Sequence, residues 1–316
     1  MSVSHQQLER ESIQALQSQI EGIVQGQSKA IRWLLAAYFS GGHVLLEDRP
    51  GTGKTTLAKT LAASLNVKFQ RVQFTPDLLP SDILGVSIFN PKDREFHFHA
   101  GPIFTQIFLA DEINRSSPRT QSALLESMAE RQVTIEGVRR ELDSDFFVMA
   151  TQNSIDSQGT YPLPEAQMDR FAISFSLEEL SVEQEIKMLK DREHDDPLDK
   201  VSPVLNSQQV KAIKAEVQAI HFGEAVQDYL VKLVQATRKH PSIILGASPR
   251  SSLSLLKLSQ SLAWMKGRDF VTADDVQELF VPALSHRIIV DRDLEFSGTQ
   301  VPQILEDILK SIPVPA

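Results

Sequence analysis

The sequence predicts a parallel α/β sheet sandwiched by helices, followed by an all-helical domain. Three observations lead there. His43 to Lys59 reads as an apolar strand, a glycine-bearing loop and a helix. The next apolar segment, Lys68 to Phe74, alternates as a strand, and a strand–helix–strand order implies a right-handed crossover in a parallel sheet. From Ser181 onward the pattern turns to amphipathic helices, which divides the chain into residues 1–178 and 179–316.

In chain order, Gln6 to Glu21 carries a weak helical stripe (Leu8, Ser12, Leu16, Ile20) that suits an outer helix. Ser28 is placed to cap a helix to about Ser40, with Trp33, Leu34, Ala37 and Tyr38 inward and Gly41-Gly42 as its stop. Val44-Leu45-Leu46 is the first buried strand. The loop Pro50-Gly51-Thr52-Gly53-Lys54-Thr55-Thr56 follows. Gly51 and Gly53 let the backbone curl so that several N–H groups converge, and the next helix adds its free N–H groups and the positive end of its dipole. Lys54 can reach the β- and γ-phosphates of a nucleotide, and the Thr55 hydroxyl can ligate Mg²⁺. The usual pattern begins with Gly; here Asp48 holds that place.

Thr75 to Phe104 is punctuated by Pro and Gly and contains two short strands around Pro91-Lys92-Asp93, a hairpin projecting from the sheet. His97 and His99 share a strand face there without a third ligand at metal-site spacing, the pattern of a solvated face. Ile107 to Ala110 is a buried strand that ends in Asp111-Glu112. In an open parallel sheet, ligands bind at that end. Asp111 suits Mg²⁺, and Glu112 suits proton abstraction from an attacking water; an acidic cap on the helix from Pro118 is the plainer alternative. Gln132–Leu142 reads as a second hairpin around Glu136-Gly137. Phe146 to Gln152 is another buried strand, and Asn153 at its tip either orients a water or starts a turn. Arg170 either pairs with Asp169 or Glu165, or supplies positive charge to a nucleotide in a neighbouring subunit. Ser181-Val182-Glu183-Gln184 is a capping box, and Ser248-Pro249 opens a later helix as cap and first residue.

Composition narrows the function classes. The 316 residues carry a formal net charge of −9, against a nonspecific binder of nucleic acid or anionic membrane. With no cysteine there is no disulfide framework, zinc–thiolate site or thiol nucleophile, which suits a cytoplasmic protein. Met1 to Gln19 has no apolar signal core, and no run approaches the ~20 apolar residues that span a bilayer.

Together these blocks resemble an AAA+ ATPase, and in finer detail the MoxR family. The resemblance rests on Thr75-Pro76-Asp77-Leu78-Leu79-Pro80-Ser81-Asp82, Gly101-Pro102-Ile103-Phe104, Asp111-Glu112-Ile113-Asn114-Arg115, Ala150-Thr151-Gln152-Asn153, Gly159 to Phe171, and Ser248-Pro249-Arg250. It runs from about Ile23 to His286, and Asp48 at the head of the loop is usual for the family. It departs at Ser154, where Pro often follows the Asn, and at Leu142–Phe146, which lacks the usual prolines.

The resemblance implies a P-loop NTPase sheet, the AAA+ core, with a C-terminal all-helical lid. It implies ATP and Mg²⁺ as ligands, with Lys54, Thr55, Asp111 and Glu112 as the Walker residues. Asn153 takes the role of first sensor, Arg170 that of arginine finger, and Arg250 that of second sensor, reaching from the lid to the γ-phosphate. Val24 and Gly26, within Ile23–Gln27, would lie against the adenine, and Arg115 would add a contact at the subunit boundary. The two hairpins would project toward a central pore or one face of a ring, a hexamer in the family pattern. The implied activity is Mg²⁺-dependent ATP hydrolysis coupled to chaperone-like remodelling, assembly or activation of a partner with a von Willebrand factor A domain. A nucleotide-controlled binding scaffold with little turnover is the alternative. A DNA-remodelling motor is disfavoured by the acidic balance.

Overall fold

The computed structural model describes residues 5–47, 51–153, 159–291 and 300–315. In chain order the elements begin with α1 (His5–Ile23), α2 (Ser28–Phe39), β1 (Val44–Glu47), α3 (Lys54–Ser64), β2 (Phe69–Gln73) and α4 (Pro80–Leu84). A hairpin of β3 (Gly85–Asn90) and β4 (Glu95–Ala100) precedes β5 (Ile107–Asp111) and α5 (Pro118–Glu130). A second hairpin, β6 (Gln132–Ile135) and β7 (Val138–Glu141), leads to β8 (Phe147–Gln152), α6 (Glu165–Met168) and β9 (Ile173–Phe175). Helices α7 (Val182–Asp191), α8 (Ser207–Ala219) and α9 (Glu224–Lys239) follow. The described chain ends with β10 (Ile243–Leu245), α10 (Pro249–Met265), α11 (Ala273–Leu284), β11 (Ile289–Val290) and α12 (Val301–Ser311).

The central sheet runs β2-β5-β8-β1-β9, with every neighbouring pair parallel. The inner strands β1, β5 and β8 are apolar on both sides because both faces are covered, whereas edge strand β2 carries Gln70, Arg71 and Gln73. Alternation sorts the side chains: Leu45, Phe108, Ala110, Val148 and Ala150 pack with Leu124, Leu125 and Met128 of α5. Val44, Leu46, Ile107, Leu109, Met149 and Ile173 face the other way, into a cluster continuous with α1, α2, α3 and the C-terminal helices. Leu255, Leu258 and Leu262 of α10 lie in that cluster, where α10 packs on both α2 and α11. The helical part therefore sits behind one face of the sheet, and that position decides where its arginines go.

Three expectations are corrected. The inward stripe of α1 keeps Leu16 and Ile20 but takes Ile13 in place of Ser12, because the helix packs against both α2 and α3; the Leu8 side chain lies outside the described residues. Gln27, not Ser28, caps α2; its side-chain amide instead bridges to Glu178, donating to the carbonyl at 2.7 Å and accepting from the N–H at 2.9 Å. The C-terminal part is not wholly helical, since β10 and β11 form an antiparallel ribbon. Strands this short show no readable period.

The local signals elsewhere hold. Glu136 and Gly137 both take positive φ, 53° and 79°, closing the second hairpin as a two-residue turn. Ser181 and Gln184 form the capping box on α7, and Ser248 caps α10. Among the described residues no helix is long and apolar enough to cross a membrane.

Candidate functional site

Two clefts lie at opposite ends of the sheet. The first, about 760 Å³, opens where the strands end. Gly51, Gly53, Lys54 and Thr55 form one wall, Asp111, Glu112 and Asn153 the floor, and Glu179, Glu185 and Met188 the far rim. Gly53 caps α3 with φ 96° and Gly51 has φ 88°, the left-handed region that only glycine enters without strain. No atom would lie within 4 Å of a Cβ at either position, so the loop backbone faces open space. Pro50 and Asp48 lie outside the described residues.

The acidic pair is held by groups to which the sequence assigned no such role. Thr151 donates its hydroxyl to Asp111 Oδ1 at 2.6 Å and accepts the Glu112 N–H at 2.8 Å. That bond helps fix Glu112 in a left-handed conformation (φ 56°), which for a non-glycine residue costs roughly 1–2 kcal/mol. Arg71 donates to Asp111 Oδ2 from Nη2 at 2.6 Å and from Nε at 3.0 Å. Gln73 donates to Glu112 Oε2 at 2.9 Å, and Arg115 pairs with the same oxygen at 3.2 Å. Arg71 and Gln73 are two apart on β2, so both point to the face where Asp111 and Glu112 end β5. The guanidinium on Asp111 stands where a cation is wanted, so the donor set fits Mg²⁺. Thr55, at the start of α3, lies in the same cleft.

Val24 and Gly26 fall beside this cleft without lining it. Val24 is buried in the core. Gly26 is covered by Gln184, whose Oε1 would lie 2.7 Å from an added Cβ.

The second cleft, about 360 Å³, lies at the start of β1, beside Gly42 and His43. Its charged lining is basic: Arg131, Arg170, Arg250 and Lys257 against Asp169. Asp169 is already engaged. Arg287 Nε pairs with its Oδ1 at 3.0 Å, and Ser248 donates to Oδ2 at 3.1 Å; Arg250 Nη1 stands 3.8 Å from the same oxygen. Arg287 is buried and also donates to Phe171 O at 2.6 Å and Ala283 O at 2.9 Å. Burial pulls its guanidinium down to about 10, with Asp169 acting in the opposite direction. Arg170 itself donates to Leu125 O at 2.9 Å. His43 accepts the Val148 N–H on Nδ1 at 3.1 Å, which leaves Nε2 to donate to Met128 O at 3.3 Å. Desolvation lowers its pKa to about 4, so it forms a neutral wall.

The structure thus brings Lys54, Thr55, Asp111, Glu112 and Asn153 together and sets Arg170 and Arg250 apart. Strand β1, roughly 13 Å long at ~3.3 Å per residue, separates the two sets. Arg250 does not reach its own chain's phosphate loop as expected, because α10 packs behind the sheet on α2. Sequence reading missed Arg71, Gln73, Thr151 and Arg287; on β2, alternation at a strand's carboxyl end was the available signal.

Comparison with known proteins agrees with this layout. Residues 43–173 match the family model described as the ATPase family associated with various cellular activities, and residues 235–308 match the AAA lid domain. An uncharacterised Bacillus subtilis protein, YeaC, is 46% identical over 89% of this chain and 88% of its own length. Chaperone MoxR1 of Mycobacterium tuberculosis is 37% identical over 94% of this chain and 81% of its own. Protein MoxR of Paracoccus denitrificans is 31% identical over 94% of both. A solved structure from Cytophaga hutchinsonii, described as a candidate ATPase, superposes with a TM-score of 0.91 at 37% identity, covering 98% of this chain and 96% of its own.

Proposed function

The chain belongs to the MoxR family of AAA+ ATPases, and from that premise we propose that it hydrolyses ATP in a site completed by a second copy of itself. One observation carries most weight: the phosphate loop and the Asp111–Glu112 pair open onto the same cleft. Lys54 and the N–H groups at the start of α3 hold the β- and γ-phosphates, while Thr55 and Asp111 hold Mg²⁺, which supplies positive charge at the phosphates. Glu112 takes the proton of the attacking water, and Asn153 orients that water. The bonds from Gln73 and Arg115 both fall on Oε2, which leaves Oε1 to accept the proton.

Arg170 and Arg250 face away from this loop, so they act on nucleotide held by a neighbouring copy. A head-to-tail ring satisfies every copy at once, and six is the number that the family resemblance suggests. Turnover then drives chaperone-like remodelling of a protein partner in the cytoplasm. The same resemblance points to a partner with a von Willebrand factor A domain. We place the domain boundary near residue 178, between the end of the sheet at Phe175 and the cap of α7 at Ser181.

Glu112→Gln tests the chemistry. Steady-state phosphate release falls by roughly 10²–10⁴-fold while nucleotide binding persists. Unchanged turnover removes Glu112 from the mechanism. Equally slow release by the parent chain favours a nucleotide-controlled scaffold instead.

A further inference from the structure

Helix α7 has three faces with different surroundings. Gln184 and Asp191 turn toward the segment before α2: Gln184 covers Gly26, and Asp191 Oδ2 accepts from Gln25 Nε2 at 2.6 Å. Glu185, Met188 and Arg192 border the acidic cleft. Val182, Ile186 and Leu189 form the third face, at i, i+4 and i+7, and are 68%, 48% and 63% exposed. At 3.6 residues per turn this apolar stripe lies about a quarter-turn from the cleft face, on the side away from Gly26. A body that closes over the cleft rim therefore meets the stripe as well. A contiguous apolar stripe on a short helix with no buried residue is a surface built to be covered.

What covers it can be read from charge. The cleft beside the stripe is lined by Glu178, Glu179, Glu185, Asp111 and Glu112 against Lys54, Arg71 and Arg192, an acidic excess. The cleft at the other end of the sheet carries Arg131, Arg170, Arg250 and Lys257. Leu253 lies next to those cations, on α10 and nearly one turn beyond Arg250, and is 59% exposed. One end of the molecule thus offers acid beside an apolar stripe, and the other offers base beside an exposed leucine. A head-to-tail contact between two copies pairs both features at once, and repetition of the contact closes a ring.

We propose that the Val182–Ile186–Leu189 stripe of α7 docks on the α10 surface around Leu253 of a second copy of this chain. The contact rests on the reading in which Arg170 and Arg250 act across copies, and it adds the surface that brings them there. The stripe is the apolar core of the contact and the two charged clefts are its rim.

The test uses the full chain with Mg²⁺ and a non-hydrolysable ATP analogue, with assembly read by sedimentation velocity and nucleotide binding by a fluorescent ATP derivative. Leu189→Asp is expected to need at least tenfold more protein to assemble, with nucleotide affinity unchanged. Addition of Leu253→Lys to Leu189→Asp is expected to recover much of the loss, since the new charges then face each other across the contact. A Leu189→Asp chain that assembles as the parent does overturns the docking surface, assigns the stripe to some other protein, and leaves the arginine reading standing. A Leu189→Asp defect that Leu253→Lys does not relieve overturns the pairing with α10. A parent that stays monomeric at full turnover overturns both this surface and the reading beneath it.

Discussion

Each cleft is held by an arginine on an aspartate; the aspartates are alike in burial, 13% and 18% exposed, and the arginines differ. At the phosphate-loop end, Arg71 grips Asp111 with its side chain 46% exposed. At the basic end, Arg287 grips Asp169 with its side chain 2% exposed and further bonds to Phe171 O, Ala283 O and Ser254 Oγ. An exposed pair is worth little and exchanges readily. A buried pair is costly to break because the partner charge is left without solvent. On the proposed reading, the acidic end would release its aspartate to an incoming cation. The basic end is built to hold Arg170 and Arg250 in one fixed arrangement, by clamping the aspartate next to Arg170 to the helical part that carries Arg250.

The largest expected effect comes from separating the two ends. Arg170→Ala should lower turnover on the order of 10³-fold or more, as loss of an arginine finger does, with nucleotide binding by each chain unchanged. Mixing that variant with Glu112→Gln joins an intact acidic cleft from one chain to an intact basic cleft from the other. Phosphate release should return to a substantial fraction of the parent rate in the mixture, although each variant alone is nearly inactive. If the mixture stays as inactive as its components, the two clefts do not form one site.

The buried pair comes next. Arg287→Ala leaves Asp169 facing the helical part with its main partner gone, and should lower the unfolding free energy by about 3 kcal/mol, the lower end for such a pair because Asp169 is not fully enclosed. Urea denaturation of the full chain measures it. A loss under ~1 kcal/mol would mean that the basic cleft is as loosely held as the acidic one, and the contrast between them would disappear.

The two ends also differed in how legible they were in the sequence. The acidic cleft is assembled from short contiguous motifs, each announced by residue types that few other contexts need, such as Gly51-Thr52-Gly53-Lys54-Thr55 after a strand. Arg71 and Gln73 escaped notice because a polar residue on alternate strand positions reads as a solvated face; their target is known only once β2 is placed beside β5. The basic cleft depends on distant parts. Asp169 and Arg287 lie 118 residues apart, and nothing local in either segment points to the other. The position of Arg250 follows from α10 packing on α2, and an amphipathic helix declares that it has a buried face without declaring against what. The five-stranded order is hidden for the same reason, since runs such as Ile107 to Ala110 and Phe147 to Ala150 are interchangeable in pattern.

The smallest effect concerns Arg71. With its guanidinium on Oδ2, Arg71 already offsets the charge of Asp111, so a Mg²⁺ held there as proposed would displace Arg71 or share the carboxylate with it. Thr151 stays on Oδ1 in either case and keeps the carboxylate aimed into the cleft. Arg71→Ala removes a competing cation without altering Thr55 or Asp111, so Mg²⁺-dependent nucleotide binding should tighten by up to about five-fold, ~1 kcal/mol being the upper end for an exposed pair. A Mg²⁺ titration of fluorescent-ATP binding reads this directly. The opposite sign would be as informative: weaker nucleotide binding at saturating Mg²⁺ would mean that Arg71 swings from Asp111 onto the phosphates. It would then be a ligand contact of the acidic end, no longer the exchangeable counterpart of Arg287.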